Sequence, residues 1–218
     1  MSKSLFTIAR LETGKLNALV KNLMTRMNID DPVEAVRRVN SGEWVVVKPA
    51  HRWREQNGAI YFKVTSNGMT GPKWIEHFNK KGIQISKWVQ DILLSPDFKA
   101  TCGVTTEVAV LMGILFTDND RITDNIRAEA GKRNLTTPEA ELGCLIRDMF
   151  TEEEIEAMGL EWIVAFHEPI KDSVGNPSLL GTGRNVKDPW LCSNYDEPGN
   201  RWFQKLGFAF VVSQVSSS

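Results

Sequence analysis

The sequence predicts an α+β chain whose last third carries a display surface. Three observations predict it. Apolar residues recur at helical spacing from Trp74 to Leu93 and again from Ile122 to Met149. Runs of strand length, rich in β-branched and aromatic residues, occupy 59–64, 105–116, 161–166 and 208–212. Helical and strand patterns fall in blocks rather than alternating regularly, and the later strand runs are separated by long stretches of Gly, Pro, Asn and Ser.

With 218 residues, 42 % hydrophobic and 24 % charged, the chain can bury a real core as one large domain or two modest ones. A net charge of -1 argues against nucleic acid or an anionic membrane surface as partner. Cys102, Cys144 and Cys192 lack zinc-type spacing and read as thiols of a reducing compartment. The first twenty residues hold no apolar run of signal-peptide length, and no later run is long enough to span a bilayer, so the expected location is cytoplasmic with no membrane partner.

Leu5, Ile8, Leu11, Leu16, Leu19, Val20, Leu23 and Met27 lie at roughly helical intervals and predict one amphipathic helix or two short ones. Asp31 as cap and Pro32 at the first helical position start another, which runs through Val39 and stops near Gly42. Trp44–Val47 and Ala59–Val64 read as strands, the first held to an edge or a terminus by Pro49. The connector His51-Arg52-Trp53-Arg54 is basic and aromatic. No further basic run extends it, so a solvated loop with arginine over Trp53 is the better reading.

From Gly71 to Leu94 the spelling is helix, tight turn, helix, with Pro72 at the first start, Gly82 at the break and Ser86 as the second cap. A helix-turn-helix reader presents basic and amide residues on its second helix; here that helix offers Lys87 and Gln90 against Asp91. Two helices packing Trp74 and Trp88 into a core account for the pattern better. The polar stretch Lys99–Gly103 is the best boundary, dividing an N-terminal helical and short-strand region (1–100) from a C-terminal domain (101–218).

Thr105–Phe116 reads as a buried strand, and Ile122, Ile126 and Ala130 as one face of a helix. A second helix is expected with Thr136 or Thr137 as cap, Pro138 in its first turn and Glu139 completing a capping box. Thr151 and Glu154 spell another, opening an acidic helix that Gly159 ends. Glu152, Glu153, Glu154 and Glu156 suit a helix N-terminus electrostatically, which explains them better than a metal cluster does.

The last third holds a strand at Glu161–Phe166, a loop from Lys171 to Gly183, a short piece at Trp190–Cys192 and a strand at Phe208–Val212. Between Arg184 and Trp202 the residues are those of a paratope: aromatics for contact area, amides and arginine for adaptable hydrogen bonds. The candidate binding residues are Arg184, Asn185, Trp190, Asn194, Tyr195, Asp196, Asn200, Arg201 and Trp202. No cofactor is called for. The expected partner is a protein or another exposed macromolecular ligand.

Asn134–Leu142, which holds Leu135, Thr136-Thr137-Pro138 and Glu139-Ala140-Glu141, resembles the start of the second helix in formylglycine-generating-enzyme-like domains, a branch of the C-type-lectin-like fold. Gly207–Val212 resembles the Gly-Phe strand that ends them. The resemblance covers the second half of the chain and implies a C-type-lectin-like domain with irregular short strands and two helices. Its nearest likeness is to ligand-binding members such as the variable proteins of diversity-generating retroelements, whose displayed residues lie just before the terminal strand. Only Cys192 is available for the paired-cysteine copper site of the oxidising members. Glu197-Pro198-Gly199-Asn200 interrupts the Glu-Pro-Asn of calcium-dependent lectins, so neither activity is implied.

Catalysis is the rival reading, as a small hydrolase in which His167 pairs with Glu168 or serves Cys192 as nucleophile. Neighbours on an extended chain point to opposite faces, which argues against His167 and Glu168 acting on one atom. His51 and His77 have no companions at metal-ligand spacing. A nucleic-acid role for the 72–94 helices is the third reading.

Overall fold

A computed structural model of the chain describes residues 20–21, 23–25, 27, 29–43, 51–184 and 189–213, with the main chain alone at Arg184. The chain divides into two units, Met1–Ala50 and His51–Ser218. In the first, helix α1 (Pro32–Asn40) starts as its sequence requires, with the Asp31 carboxylate accepting the Val33 N–H at 2.8 Å. Most of the helix expected over Leu5–Met27, and all of the strand expected at Trp44–Val47, lie outside the described residues.

The second unit is built on one mixed sheet. Its strands are β1 (Arg54–Gln56), β2 (Ala59–Asn67), β3 (Gln84–Ile85), β4 (Cys102–Met112), β5 (Leu135–Thr136), β6 (Trp162–Ala165), β7 (Ile170–Lys171), β8 (Pro177–Arg184), β9 (Pro189–Tyr195) and β10 (Leu206–Val212). The order across the sheet is β1-β2-β4-β10-β6-β8-β9-β3, with β5 joined to β10 and β7 to β8. Asn57 and Gly58, both at positive φ, form the two-residue turn between β1 and β2 that an Asn-Gly pair favours. Strand β10 pairs antiparallel with β4 and parallel with β6, so it lies at the centre.

Five helices accompany the sheet: α2 (Gly71–Lys80), α3 (Lys87–Leu94), α4 (Thr123–Lys132), α5 (Glu141–Met149) and α6 (Glu152–Ala157). One face of the sheet presents Ile60, Phe62, Val108, Val110, Ile163, Leu180, Leu191 and Ala209. These pack with Trp74 and Phe78 of α2, Val89 and Ile92 of α3, and Leu142 and Ile146 of α5. The other presents Ala109, Leu111, Val164, Phe166, Leu179, Phe208 and Phe210, covered by Ile126 and Ala130 of α4 and by Trp202. The pleat makes this division, sending Phe208 and Phe210 to one side and Ala209 to the other. The molecule is α+β, and no helix of the described residues is long and apolar enough to cross a membrane.

Several expectations need correction. The boundary placed at Lys99–Gly103 falls inside the second unit, because β2 and β4 pair across it, Ile60 opposite Val110 and Phe62 opposite Val108. The strand expected to reach Phe116 ends at Met112. There Gly113 lies so close to the main chain of 203–206 that a Cβ would sit 2.7 Å from the Gln204 carbonyl, and the buried Arg121 guanidinium binds the carbonyls of Gly113 and Phe116. Thr136 is no helix cap. It belongs to β5, opposite Val211, and α5 starts only at Glu141. Trp74 is buried, but Trp88 is 51 % exposed. The largest miss is the loop expected over Lys171–Gly183, most of which is strands β7 and β8. The Thr151–Glu154 capping box is formed in full.

Candidate ligand-binding groove

On the Phe208 face, β6, β8 and β9 bring three rows of side chains into register: Leu206, Trp162, Gly183 and Trp190; then Phe208, Val164, Gly181 and Cys192; then Leu179 and Asn194. Two of the β8 positions are glycine, and their neighbours occupy the space. A Cβ on Gly183 would lie 2.6 Å from Cε3 of Trp162, so the indole lies across the strand there. The Asn194 carboxamide lies over Gly181 in the same way. Glycine in a strand often marks such a close approach.

Residues 196–203 form the wall of this platform. Trp202 is its anchor: the ring packs on Phe166 and Phe208 at centroid distances of 5.5 and 5.8 Å, and Nε1–H donates to Thr123 Oγ1 at 3.0 Å. Asp196 is a second anchor, accepting from the Arg127 guanidinium at 2.9 Å with its carboxylate almost wholly buried. Asn200 Nδ2 donates to the Tyr195 carbonyl at 3.0 Å, and the Asn200 carbonyl accepts from the Thr123 N–H. Between wall and platform is a groove of about 400 Å³, lined by Trp162, Cys192, Ser193, Asn194, Tyr195 and residues 200–203, with Leu206 beneath.

The structure therefore gathers Asn194, Tyr195, Asn200, Arg201 and Trp202 at one groove. Tyr195 is 44 % exposed, and its hydroxyl is bonded to the Glu197 carboxylate. Arg201 is exposed, without a hydrogen-bond or ion-pair partner among the described residues. Trp190 is half-buried beside Gly183 and does not line the groove. Trp202 and Asp196, expected on display, are structural instead, since Trp202 is packed into the core and Asp196 is held by Arg127. Arg184 contributes main chain opposite Pro189, its side chain lying outside the described atoms, and Asn185 lies outside the described residues. Sequence reasoning missed Trp162 and Phe203. The latter is 78 % exposed, and its place beside the Arg201-Trp202 pair was the available signal.

The groups offered for catalysis are consumed by the fold. His167 Nε2 accepts the Leu180 N–H at 3.0 Å, so Nδ1 carries the proton and donates it to the Glu168 carbonyl at 2.6 Å. Burial holds the imidazole pKa down at about 4, leaving a neutral ring with both nitrogens engaged. Burial pushes the Cys192 thiol up to about 12, and its Sγ–H donates to the Gly181 carbonyl. A cavity of about 330 Å³ opens beside His167, Glu168 and Thr137–Ala140, with no free ring nitrogen turned into it. In the 72–94 pair, the turn contains β3, which is hydrogen-bonded to β9, so both helices are fastened to the sheet.

Compared with family models, curated proteins and solved structures, the chain matches none.

Proposed function

We propose that this protein is a non-catalytic recognition protein that binds its ligand in the groove between β9 and the 196–203 wall. The observation that carries the reading is the groove's construction: rigid anchors (Trp202, Asp196) behind, and in front an exposed aromatic (Phe203) and a cation (Arg201) without a partner among the described residues. Binding hot spots are enriched in aromatic residues and arginine, and here Phe203, 78 % exposed, lies beside Arg201 at one groove. The neutral, doubly bonded His167 and the protonated Cys192 favour binding over hydrolysis. A C-type-lectin-like relationship of 101–218 remains part of the proposal. In its support the displayed segment directly precedes the apolar strand β10; the parallel β10–β6 pairing and the joining of β1 and β2 to the same sheet are this chain's own.

A photo-crosslinking residue placed at position 203, compared with one at Val174, which is exposed and does not line the groove, tests the reading. In extract from the source cells, position 203 yields a discrete adduct that Arg201→Ala abolishes. Equal labelling at both positions, or indifference to Arg201→Ala, overturns it.

A further inference from the structure

Resting on that reading, we infer that the groove takes a mononucleotide with an adenine base. Three features of the site select this chemistry. The Trp162 indole is held flat by the missing side chain of Gly183 and lines the groove, with the Phe203 ring at the same groove. Flat, pre-positioned aromatic rings are the surfaces on which bases stack. The same groove is lined by the Asn194 carboxamide, which lies over Gly181, its Nδ2 spent on a long 3.5 Å contact to Cys192 Sγ and its oxygen without a partner among the described residues. A carboxamide offers a donor and an acceptor side by side, the pattern that matches N7 and the N6 amino group of adenine.

The third feature is charge. The Arg201 guanidinium is exposed, without a partner among the described residues, and suited to bidentate contact with a phosphate. Neither nearby carboxylate lines the groove: Asp196 is turned to Arg127 through Oδ2, and Glu197 is bonded to the Tyr195 hydroxyl. No free carboxylate among the described lining residues stands ready to accept the hydroxyl donors of a sugar, which favours a base over a saccharide. Arg201 is the one cation among the described lining residues, short of the basic track that a nucleic-acid strand needs, which favours one nucleotide over a polymer. At about 400 Å³ the groove is of small-ligand size.

Calorimetric titration of the full chain with the four ribonucleoside 5′-monophosphates tests the inference. AMP binds with a Kd below about 1 mM and more tightly than the other three, while ribose 5-phosphate and methyl glucoside do not bind. Arg201→Ala, at an exposed position, leaves the melting temperature unchanged and weakens AMP by about tenfold or more, the worth of a charged hydrogen bond. Trp162→Leu and Asn194→Leu each weaken it as well, and Asn194→Leu removes the preference for AMP over GMP. No binding of AMP up to about 10 mM, equal binding of all four, or binding of methyl glucoside overturns the inference. So does tighter, steeply salt-dependent binding of a single-stranded oligonucleotide, which would assign the groove to a polymer. If AMP fails while the position-203 adduct persists, the ligand class is wrong and the recognition reading stands; loss of both removes both.

Discussion

Acidification from pH 7 to pH 4 should weaken this fold through His167 in particular. In the unfolded chain the imidazole takes up a proton near its ordinary value of 6.5, whereas in the folded protein burial delays this to about 4. Between those values the unfolded state holds one more proton than the folded state, so unfolding becomes easier as pH falls. At about 1.4 kcal/mol for each pH unit, the interval amounts to about 3 kcal/mol, fully lost by pH 4 and fully recovered above 6.5. Native proteins are stable by only about 5–15 kcal/mol, so that loss is a sizeable share of the margin. The assay is urea denaturation at half-unit steps of pH, comparing the wild type with His167→Gln, whose carboxamide keeps an acceptor and a donor but does not titrate. The substitution lowers stability at pH 7 by removing fitted hydrogen bonds. The informative quantity is the slope, and the variant should lose about 3 kcal/mol less than the wild type between pH 6.5 and 4. Parallel curves, or a His167 ring that titrates near 6.5 by NMR, would refute the assignment of a neutral ring bonded at both nitrogens.

Phe208→Ala deletes a fully buried ring at the centre of the sheet and should cost about 3–5 kcal/mol, read as a lower urea midpoint at unchanged m-value. Gly183→Ala forces a Cβ toward both the Trp162 ring and the Glu161 carbonyl, so it should destabilise by about 1–3 kcal/mol and alter the near-ultraviolet circular dichroism of Trp162; a melt and spectrum like the wild type would sink the platform geometry. Asp196→Ala strands Arg127 beneath the wall and should cost about 3 kcal/mol, near the lower end for a buried pair because Arg127 keeps some contact with water. Phe203→Ala, by contrast, should leave stability within about 0.5 kcal/mol of the wild type, which differential scanning calorimetry can check.

What could be read in the sequence depended on whether the signal was local. The Asp31, Ser86 and Thr151 caps were legible because a cap and its amide partner lie two or three residues apart. Phe208 and Phe210 were legible because strand alternation is a period of two. Strand β8 was not, since its Gly181 and Gly183 spell a loop to any local reading, and their reason is a tryptophan on β6 and an asparagine on β9. The false cap at Thr136 has the opposite cause: a good local motif was overridden by the pairing of Thr136 with Val211, 75 residues away. At the groove, composition identified the right segment, yet could not separate Trp202, which faces inward, from Phe203, which faces out. Consecutive residues of an irregular wall have no period to decide between them.

The placement of β10 sets a timetable for the chain's synthesis. This strand separates β4 from β6, and it is translated after every other strand of the sheet. Until it emerges, the β1-β2-β4 strands and the β6-β8-β9 strands each present a bare inner edge, and no described strand joins them. At ribosomal speed the wait from β2 to β10 is on the order of 10 s. Folding of the sheet is therefore a closing event rather than a progressive one, and during that interval two open edges rich in Val and Ala are exposed to other nascent chains. A chaperone that shelters β4 and β6 would have its greatest effect in that window, before the native protein shows any trace of needing one.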